Sequence, residues 1–200
     1  MVTVTVTTSW RLTGNVASVG EKETPGGLVL IEELINTVDL ESGEDRLAGA
    51  DGLAALADRA GVALTAADRA GVVALREGLR EACLAHTGPA MREGSAEALT
   101  EAFAGAPLAL RVDGATGGVA LVLAPGLRGA AALAARVAAL VAVAEADGTW
   151  RRLKVCEADT CRWAYYDHSP AGRRRWCSMR VCGSRAKMRT YRDRARRRQG

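Results

Sequence analysis

The chain has 200 residues, 48% of them hydrophobic and 25% charged, a composition that is typical of globular proteins and excludes a disordered chain. Its 27 Lys and Arg residues outnumber the 23 Asp and Glu residues only slightly, but the charges are divided unevenly along the chain. Residues 150–200 hold 16 basic and 4 acidic side chains, a net charge of +12, whereas residues 1–149 have a net charge of −8. The sequence therefore predicts a basic tail that binds a polyanion, attached to an acidic body.

The first residues have the pattern of a strand, because Val2, Val4 and Val6 alternate with threonines. We predict a strand over residues 2–12, followed by a glycine-rich loop over residues 13–27. The segment lacks the basic and apolar regions of a secretory signal. It therefore predicts a cytoplasmic protein whose cysteines are reduced.

Two helices are predicted next. Apolar residues three and four positions apart predict a helix over residues 28–39, with Asn36 and Thr37 on its last turn. Asp51 is predicted to cap a short second helix, which ends where Gly61 provides the residue after the C-cap.

A third and a fourth helix complete the first part of the body. Residues 65–68, Thr-Ala-Ala-Asp, have the form of a capping box and predict the start of a long helix that runs to about His86. Cys83 lies among apolar residues of this helix, which predicts a small buried hydrophobic side chain. Ser95 is predicted to cap the fourth helix, which ends at about Ala104.

A hairpin and an apolar helix follow. Alternating apolar residues predict strands over residues 108–112 and 119–123, joined by a glycine-rich turn. The apolar run over residues 127–146 predicts a buried helix and not a membrane span, because three charges interrupt it, Arg128, Arg136 and Glu145. The predicted fold class is α+β, a mainly helical domain over residues 1–148 with a small antiparallel sheet, followed by a small basic module over residues 149–200 that ends in a helix.

Four cysteines stand out in the basic module. Two Cys-x4-Cys pairs are separated by 15 residues, namely Cys156 with Cys161 and Cys177 with Cys182. Four thiolates at this spacing can surround one tetrahedral ion, and sulfur ligands in that geometry favour Zn²⁺. Two disulfides are the alternative, but they need an oxidising compartment. The sequence predicts one structural zinc ion per chain with no open coordination position.

The end of the chain has the pattern of a helix with two stripes. One stripe is predicted to pack inward and consists of Val181, Ser184, Met188, Tyr191 and Ala195. The neighbouring stripe is basic and consists of Arg185, Arg189, Arg192 and Arg196. A helix with a packed edge and an arginine edge is suited to the DNA major groove. Trp163 and Trp176 are predicted to form a small core beside the zinc.

The same residues carry a family resemblance, in the segments Cys161-Arg162-Trp163, Arg174-Arg175-Trp176-Cys177 and Cys182-Gly183-Ser184-Arg185. This pattern resembles the CGNR zinc finger, with Ser184 at the position of the family's asparagine. The segment Leu34-Ile35-Asn36-Thr37 is similar to a motif of the ABATE domain, which precedes such fingers. The resemblance implies a zinc-binding, DNA-binding module in a bacterial transcription regulator of the stress type.

Together, the charge division and the resemblance predict a DNA-binding transcription regulator whose body senses an effector or dimerises. Asn36 is the candidate for contact with a small-molecule effector, and a buried amide bonded to the backbone is the alternative. The residues expected to contact DNA are Arg173, Arg174, Arg175, Arg185, Lys187, Arg189, Arg192 and Arg196.

Two other functions are compatible with the same residues. An RNA- or protein-binding zinc adaptor would be favoured by exposed Trp163 and Tyr165, because RNA bases stack on exposed aromatic rings. A thiol redox switch would act by expelling the zinc when its ligands are oxidised. The sequence has no nucleophile elbow, no phosphate-binding glycine loop and no paired carboxylates with a recognisable role, so we expect no enzymatic activity.

Overall fold

The computed structural model describes residues 24–198, so the strand predicted over residues 2–12 lies outside the described part of the chain. Within that part, six α-helices and two antiparallel strand pairs confirm the predicted α+β class. In chain order they are α1 Gly26–Ile35, α2 Ala50–Ala60, α3 Arg69–Ala85, α4 Ser95–Ala104, β1 Leu108–Val112, β2 Val119–Leu123, α5 Gly129–Ala146, β3 Leu153–Val155, β4 Ala164–Tyr166 and α6 Ser184–Arg197.

Helix α1 ends four residues earlier than its apolar pattern predicts. Asn36 is its C-cap, and the Thr37 hydroxyl donates to the carbonyl of Leu34 at 2.8 Å. The chain then reverses, because Val38 forms an isolated β-bridge with Asp45. This reversal replaces the last predicted helical turn and brings an acidic loop, residues 39–45, next to α1.

Helices α2, α3 and α4 start close to the predicted positions. The residue at the N-cap differs from the predicted one in α2 and α4. Gly49 and Gly94 occupy the N-cap positions of α2 and α4, so Asp51 and Ser95 lie inside the first turns. The capping box at residues 65–68 is present and leads through a short 3₁₀ turn into α3. Gly61 adopts the left-handed conformation predicted after α2, with φ of 63°.

Helix α5 lies at the centre of the core. It packs against α1, α3, α4 and β2, and Leu133 and Val137 on it are completely buried. Among residues 24–198 it is the one helix long and apolar enough to cross a membrane, with a mean hydropathy of 1.7, but a core helix of a soluble protein passes the same test. Its contacts support the prediction of a buried helix.

The first hairpin has the bounds that the alternation predicts. Leu108 pairs with Leu123, and Leu110 pairs with Leu121. The base of its apolar face packs on the core, whereas Leu110 near the turn is 70% exposed.

The second hairpin joins the basic module to the body. Leu153, Val155 and Ala164 are completely buried in the same apolar cluster as α1, α3 and α5. Strands β3 and β4 contact α3 and α1, respectively. The domain boundary at residues 148 and 149 stays a prediction, and the hairpin just beyond it contributes side chains to the core of the body.

The start of α5 depends on a glycine. Gly129 has φ of +57°, and a Cβ atom there would clash with Asp68 Oδ1. The same carboxylate oxygen accepts a hydrogen bond from the Ala130 N–H at 3.0 Å. We expect Gly129→Ala to lower the free energy of unfolding by about 1–3 kcal/mol in urea titrations, because it adds backbone strain and a clash.

Gly114→Ala is the matched control, because nothing lies within 4 Å of its Cβ position. We expect that exposed turn substitution to change the unfolding free energy by no more than about 0.5 kcal/mol. Equal effects of the two substitutions would contradict the structural role of Gly129.

Candidate metal centre and basic helix

The four predicted cysteines lie together. The sulfur atoms of Cys156, Cys161, Cys177 and Cys182 all lie within 4.8 Å of one another. Cys161 Sγ is 3.6 Å from Cys177 Sγ, which is 3.8 Å from Cys182 Sγ. Four sulfurs placed tetrahedrally about 2.3 Å from a zinc ion would be about 3.8 Å apart. The cluster therefore fits one Zn²⁺ ion and not two disulfides.

The first two ligands flank the turn between β3 and β4. The Cys156 N–H donates to the Trp163 carbonyl at 2.9 Å, and the Ala158 carbonyl accepts from the N–H groups of Cys161 and Arg162 at 2.9 and 3.1 Å. Arg162 adopts a left-handed conformation with φ of 49°, which is rare outside glycine. This turn aims both sulfurs at the same point.

The other two ligands come from the segment before α6. Cys182 lies in a π-helical turn, Met179–Gly183, that continues directly into the helix. A side chain at Gly183 would crowd Met179 Cε at 3.0 Å and Trp176 Cδ1 at 3.3 Å, so a larger residue there would require these side chains to shift. The Ser184 hydroxyl donates to the Met179 carbonyl at 3.1 Å and does not cap the start of α6.

The thiols of Cys156, Cys161 and Cys177 shift one another's pKa. Hydrogen bonds from Cys161 and Cys177 hold the pKa of Cys156 far below its usual value. Sharing these bonds with Cys156 raises the pKa of both Cys161 and Cys177. Four adjacent thiolates repel one another, and a bound dication removes that repulsion. By contrast, burial raises the pKa of Cys83, which lies in the body core as predicted and is an inert thiol.

A buried ion pair shapes the loop between the two cysteine pairs. Lys154 Nζ is 3.0 Å from Asp167 Oδ2, and both side chains are almost completely buried. Lys154 also donates to the carbonyls of Gly172 and Arg174, at 2.6 and 3.2 Å. Asp167 accepts in addition from Ser169 and from the Arg174 N–H.

The Asp167 carboxyl is thus fully hydrogen-bonded. Burial alone would raise its pKa, but the hydrogen bonds from Ser169, Arg174 and Lys154 outweigh burial and lower it below its usual value. Asp167 is therefore charged in the folded loop.

The aromatic residues divide between core and surface. Trp176 packs against the cysteine cluster as predicted, together with Tyr165, whose hydroxyl donates to the Arg174 carbonyl at 2.9 Å. The prediction for Trp163 is wrong, because its side chain is 39% exposed. Neighbouring residues of an extended chain face opposite sides. Ala164 faces the body, so Trp163 points away from it.

The packed stripe predicted on the last helix is wrong. Val181, Met188 and Tyr191 are 46%, 51% and 70% exposed, because α6 packs on the π-helical turn from which it starts and extends beyond the core. The basic stripe is exposed on the same helix. The basic stripe and the first three residues of the other stripe, Val181, Ser184 and Met188, line a groove along α6.

The predicted DNA contacts have different environments. Arg174 donates to the Cys177 carbonyl at 2.6 Å and lies over the Tyr165 ring, while Arg175 forms a two-pronged pair with Glu157. Arg185 Nη1 is 2.9 Å from Glu41 Oε1 in the acidic loop. The remaining predicted contacts are exposed, namely Arg173, Lys187, Arg189, Arg192 and Arg196.

Asn36 lies at the junction with the finger, bonded to backbone. Its Nδ2 donates to the Ala164 carbonyl at 3.0 Å, and its Oδ1 accepts from the Ala164 N–H at 2.7 Å. Of the two roles considered for Asn36, an effector contact and a buried amide bonded to the backbone, these bonds match the second. Two nearby buried cations, Arg76 and Arg80, are not among the site residues predicted from the sequence. The signal was present, since both continue the buried side of α3 one turn apart.

The comparisons with known families cover both parts of the chain. Residues 28–148 match the ABATE family, described as "Putative stress-induced transcription regulator". Residues 152–195 match the CGNR zinc finger. No curated protein matches the chain. The zinc-finger match agrees with the geometry of the four sulfurs, which are positioned to hold one zinc ion.

Removal of one ligand tests the metal centre. We expect the wild-type protein to contain one zinc ion per chain by elemental analysis, and Cys177→Ser to lose it. Structural zinc contributes on the order of 10 kcal/mol to the folding of such modules. The variant should therefore lose ordered structure in residues 168–198. Cys83→Ala is the control, because Cys83 lies outside the cluster, and it should retain the metal. An ordered α6 in zinc-free protein would contradict this assignment.

The buried ion pair gives a separate prediction. Lys154→Met leaves the Asp167 carboxylate buried without its charge partner, so we expect a loss of about 3–5 kcal/mol in the free energy of unfolding of the zinc-loaded protein. Arg59→Met breaks an exposed pair with Glu33 and should cost about 1 kcal/mol or less. The two values come from urea titrations, and similar losses would show that the Lys154 network does not stabilise the fold.

Proposed function

Because the chain belongs to the ABATE family and ends in a CGNR zinc finger, we propose that it is a transcription regulator that binds DNA through α6. The observation that carries the proposal is the environment of this helix. It starts directly after a zinc ligand, and it extends beyond the core with its basic side chains exposed. Its arginines are therefore available to a polyanion.

The charge of the helix favours a nucleic acid. Its 14 residues include a single acidic side chain, Asp193, and seven basic ones, which are Arg185, Lys187, Arg189, Arg192, Arg194, Arg196 and Arg197. Neutralising phosphates with such side chains releases counterions, which drives binding and makes it dependent on salt. The length of the helix, about 21 Å at 1.5 Å per residue, suits the major groove.

Two arginines are the best candidates for reading bases. Arg185 and Arg189 lie within the first two turns of α6, where the zinc ligand Cys182 fixes the backbone. Arginine reads guanine through two parallel hydrogen bonds. Met188 lies in the same groove and can contact thymine methyl groups. Arg196 and later arginines mainly add affinity through phosphates.

The pair between Arg185 and Glu41 does not oppose the proposal. Both side chains are more than half exposed. Exposed ion pairs contribute about 1 kcal/mol or less, so a phosphate or a base can displace Glu41.

The role of the body in this proposal is to hold the finger. Effector sensing and dimerisation extend the hypothesis to the acidic part of the chain, and a cytoplasmic location and a stress response follow from the kind of regulator. No enzymatic activity belongs to the proposal.

One observation favours a second candidate, an RNA-binding adaptor. Trp163 is 39% exposed beside the finger and offers a surface on which a base can stack. Tyr165, the other aromatic residue considered for this role, is buried. Duplex DNA therefore remains the main proposal, and single-stranded RNA serves as a competitor in its test.

Binding by the zinc-loaded full chain tests the function. Fluorescence anisotropy with labelled DNA should show affinity that falls steeply with salt. If about five basic residues meet phosphates, log K plotted against log salt should have a slope of about −4 to −5. On a selected site, Arg189→Ala should weaken binding by about 1–3 kcal/mol and relax sequence preference.

Two controls separate the alternatives. Arg59→Ala changes an exposed arginine of the body and should leave binding unchanged. Arg197→Ala should weaken binding to all sequences equally. The proposal fails if Arg189→Ala behaves as Arg197→Ala does, or if single-stranded RNA binds more tightly than duplex DNA at equal salt.

A further inference from the structure

Side chains of the body hold the backbone of the first zinc turn. Strand β4 pairs with β3 along one edge, and the N–H and carbonyl of Ala164 point away from that pair, towards α1. The Asn36 side chain meets both groups, at 2.7 and 3.0 Å. Asn36 thus makes the two hydrogen bonds that a third strand would make to Ala164, which is completely buried.

Arg80 holds the same segment two residues earlier. Its Nη1 donates to the Arg162 carbonyl at 2.8 Å, and its Nη2 donates to the Ile35 carbonyl at 2.7 Å. The side chain is 6% exposed. One guanidinium therefore connects α3, the end of α1 and the residue that follows the zinc ligand Cys161.

The residue that Arg80 contacts is the strained one. Arg162 has φ of 49°, a conformation that costs about 1–2 kcal/mol for a residue with a side chain. Such a conformation persists only where the surroundings determine it. Arg80 bonds the carbonyl of Arg162, and Asn36 bonds Ala164 two residues later. These bonds hold the backbone on the C-terminal side of Arg162.

We propose that Asn36 and Arg80 are positioning residues of the zinc site. They hold residues 162–164, and with them Cys161, in the metal-binding arrangement before the metal arrives. A flexible ligand must be ordered when the ion binds, and that ordering reduces the affinity. A turn that the body already orders avoids this cost. The body is therefore part of the zinc site, although none of its residues contacts the ion. The proposal is independent of nucleic-acid binding.

Helix α3 provides a matched control one turn away. Arg76 is as buried as Arg80, and both guanidinium groups bond Glu77. The other partners of Arg76 are Thr37 and Asp45, at 3.1 and 2.8 Å, and both belong to the body. Loss of either arginine leaves buried groups unsatisfied, but Arg80 bonds the finger at the Arg162 carbonyl, whereas these partners of Arg76 lie in the body.

Zinc affinity is the measurement. Wild type and variants of the full chain are titrated with zinc against a chromophoric chelator, without DNA. We expect Asn36→Leu and Arg80→Met to raise the zinc Kd about 10-fold or more, because each removes buried hydrogen bonds from the turn. Arg76→Met should lower the Tm but leave the zinc Kd within about 2-fold of the wild-type value.

The proposal is overturned if Arg80→Met and Arg76→Met change the zinc Kd equally, or if Asn36→Leu leaves it unchanged. Should Arg80→Met fail to fold, Arg80→Lys replaces it. Lysine retains the charge but cannot span the Ile35 and Arg162 carbonyls with a rigid fork, so an increased Kd is expected again.

A measurement on unchanged protein completes the test. Amide hydrogen exchange is followed after zinc has been removed by a chelator. The N–H of Ala164, bonded to Asn36, should remain as protected as core amides of α3. The N–H of Gly183, which donates to Ser178 in the metal-dependent half, should exchange fast. Equal exchange of the two amides would overturn the proposal, because the body would then not order the first turn.

Discussion

The structure depends on how the outer edge of β4 is satisfied. A two-stranded sheet leaves one edge of each strand without hydrogen bonds, and a buried edge of this kind is costly. Ala164 lies at such an edge and is completely buried. The Asn36 amide supplies the missing donor and acceptor. That contact allows the finger hairpin to enter the core, and together with the Arg80 bond to the Arg162 carbonyl it connects the first zinc turn to the body.

Buried cations on α3 and on β3 also form hydrogen bonds at the junction between the body and the finger. Arg76 and Arg80 on α3 bond backbone and carboxylate groups around the end of α1, and Lys154 on β3 bonds the loop that leads to the second cysteine pair. Burying a charge is favourable only when its hydrogen bonds are satisfied. Each of these three side chains has several partners, so the polar groups specify one arrangement where apolar packing alone would permit several.

Sequence patterns predicted the local features well. The bounds of the first hairpin and the cysteine cluster follow from alternation and spacing within short segments, and both are found as expected. Asn36 and Ala164 are 128 positions apart in the chain. Periodicity and spacing within short segments do not predict a contact between residues so far apart. The exposed stripe on α6 was misassigned for a related reason. Periodicity shows that Met188 and Tyr191 share a face, but it does not show whether a partner covers that face.

The depth at which the finger hairpin is buried has a consequence for synthesis. A ribosome adds about 5–20 residues per second, so Ala164 follows Asn36 by about 6 to 26 seconds. During that interval the core lacks Leu153, Val155 and Ala164, and the end of α1 has no partner for its amide. The core of the nascent body therefore receives its last side chains together with the first zinc turn, before the ligands Cys177 and Cys182 have been added to complete the metal centre.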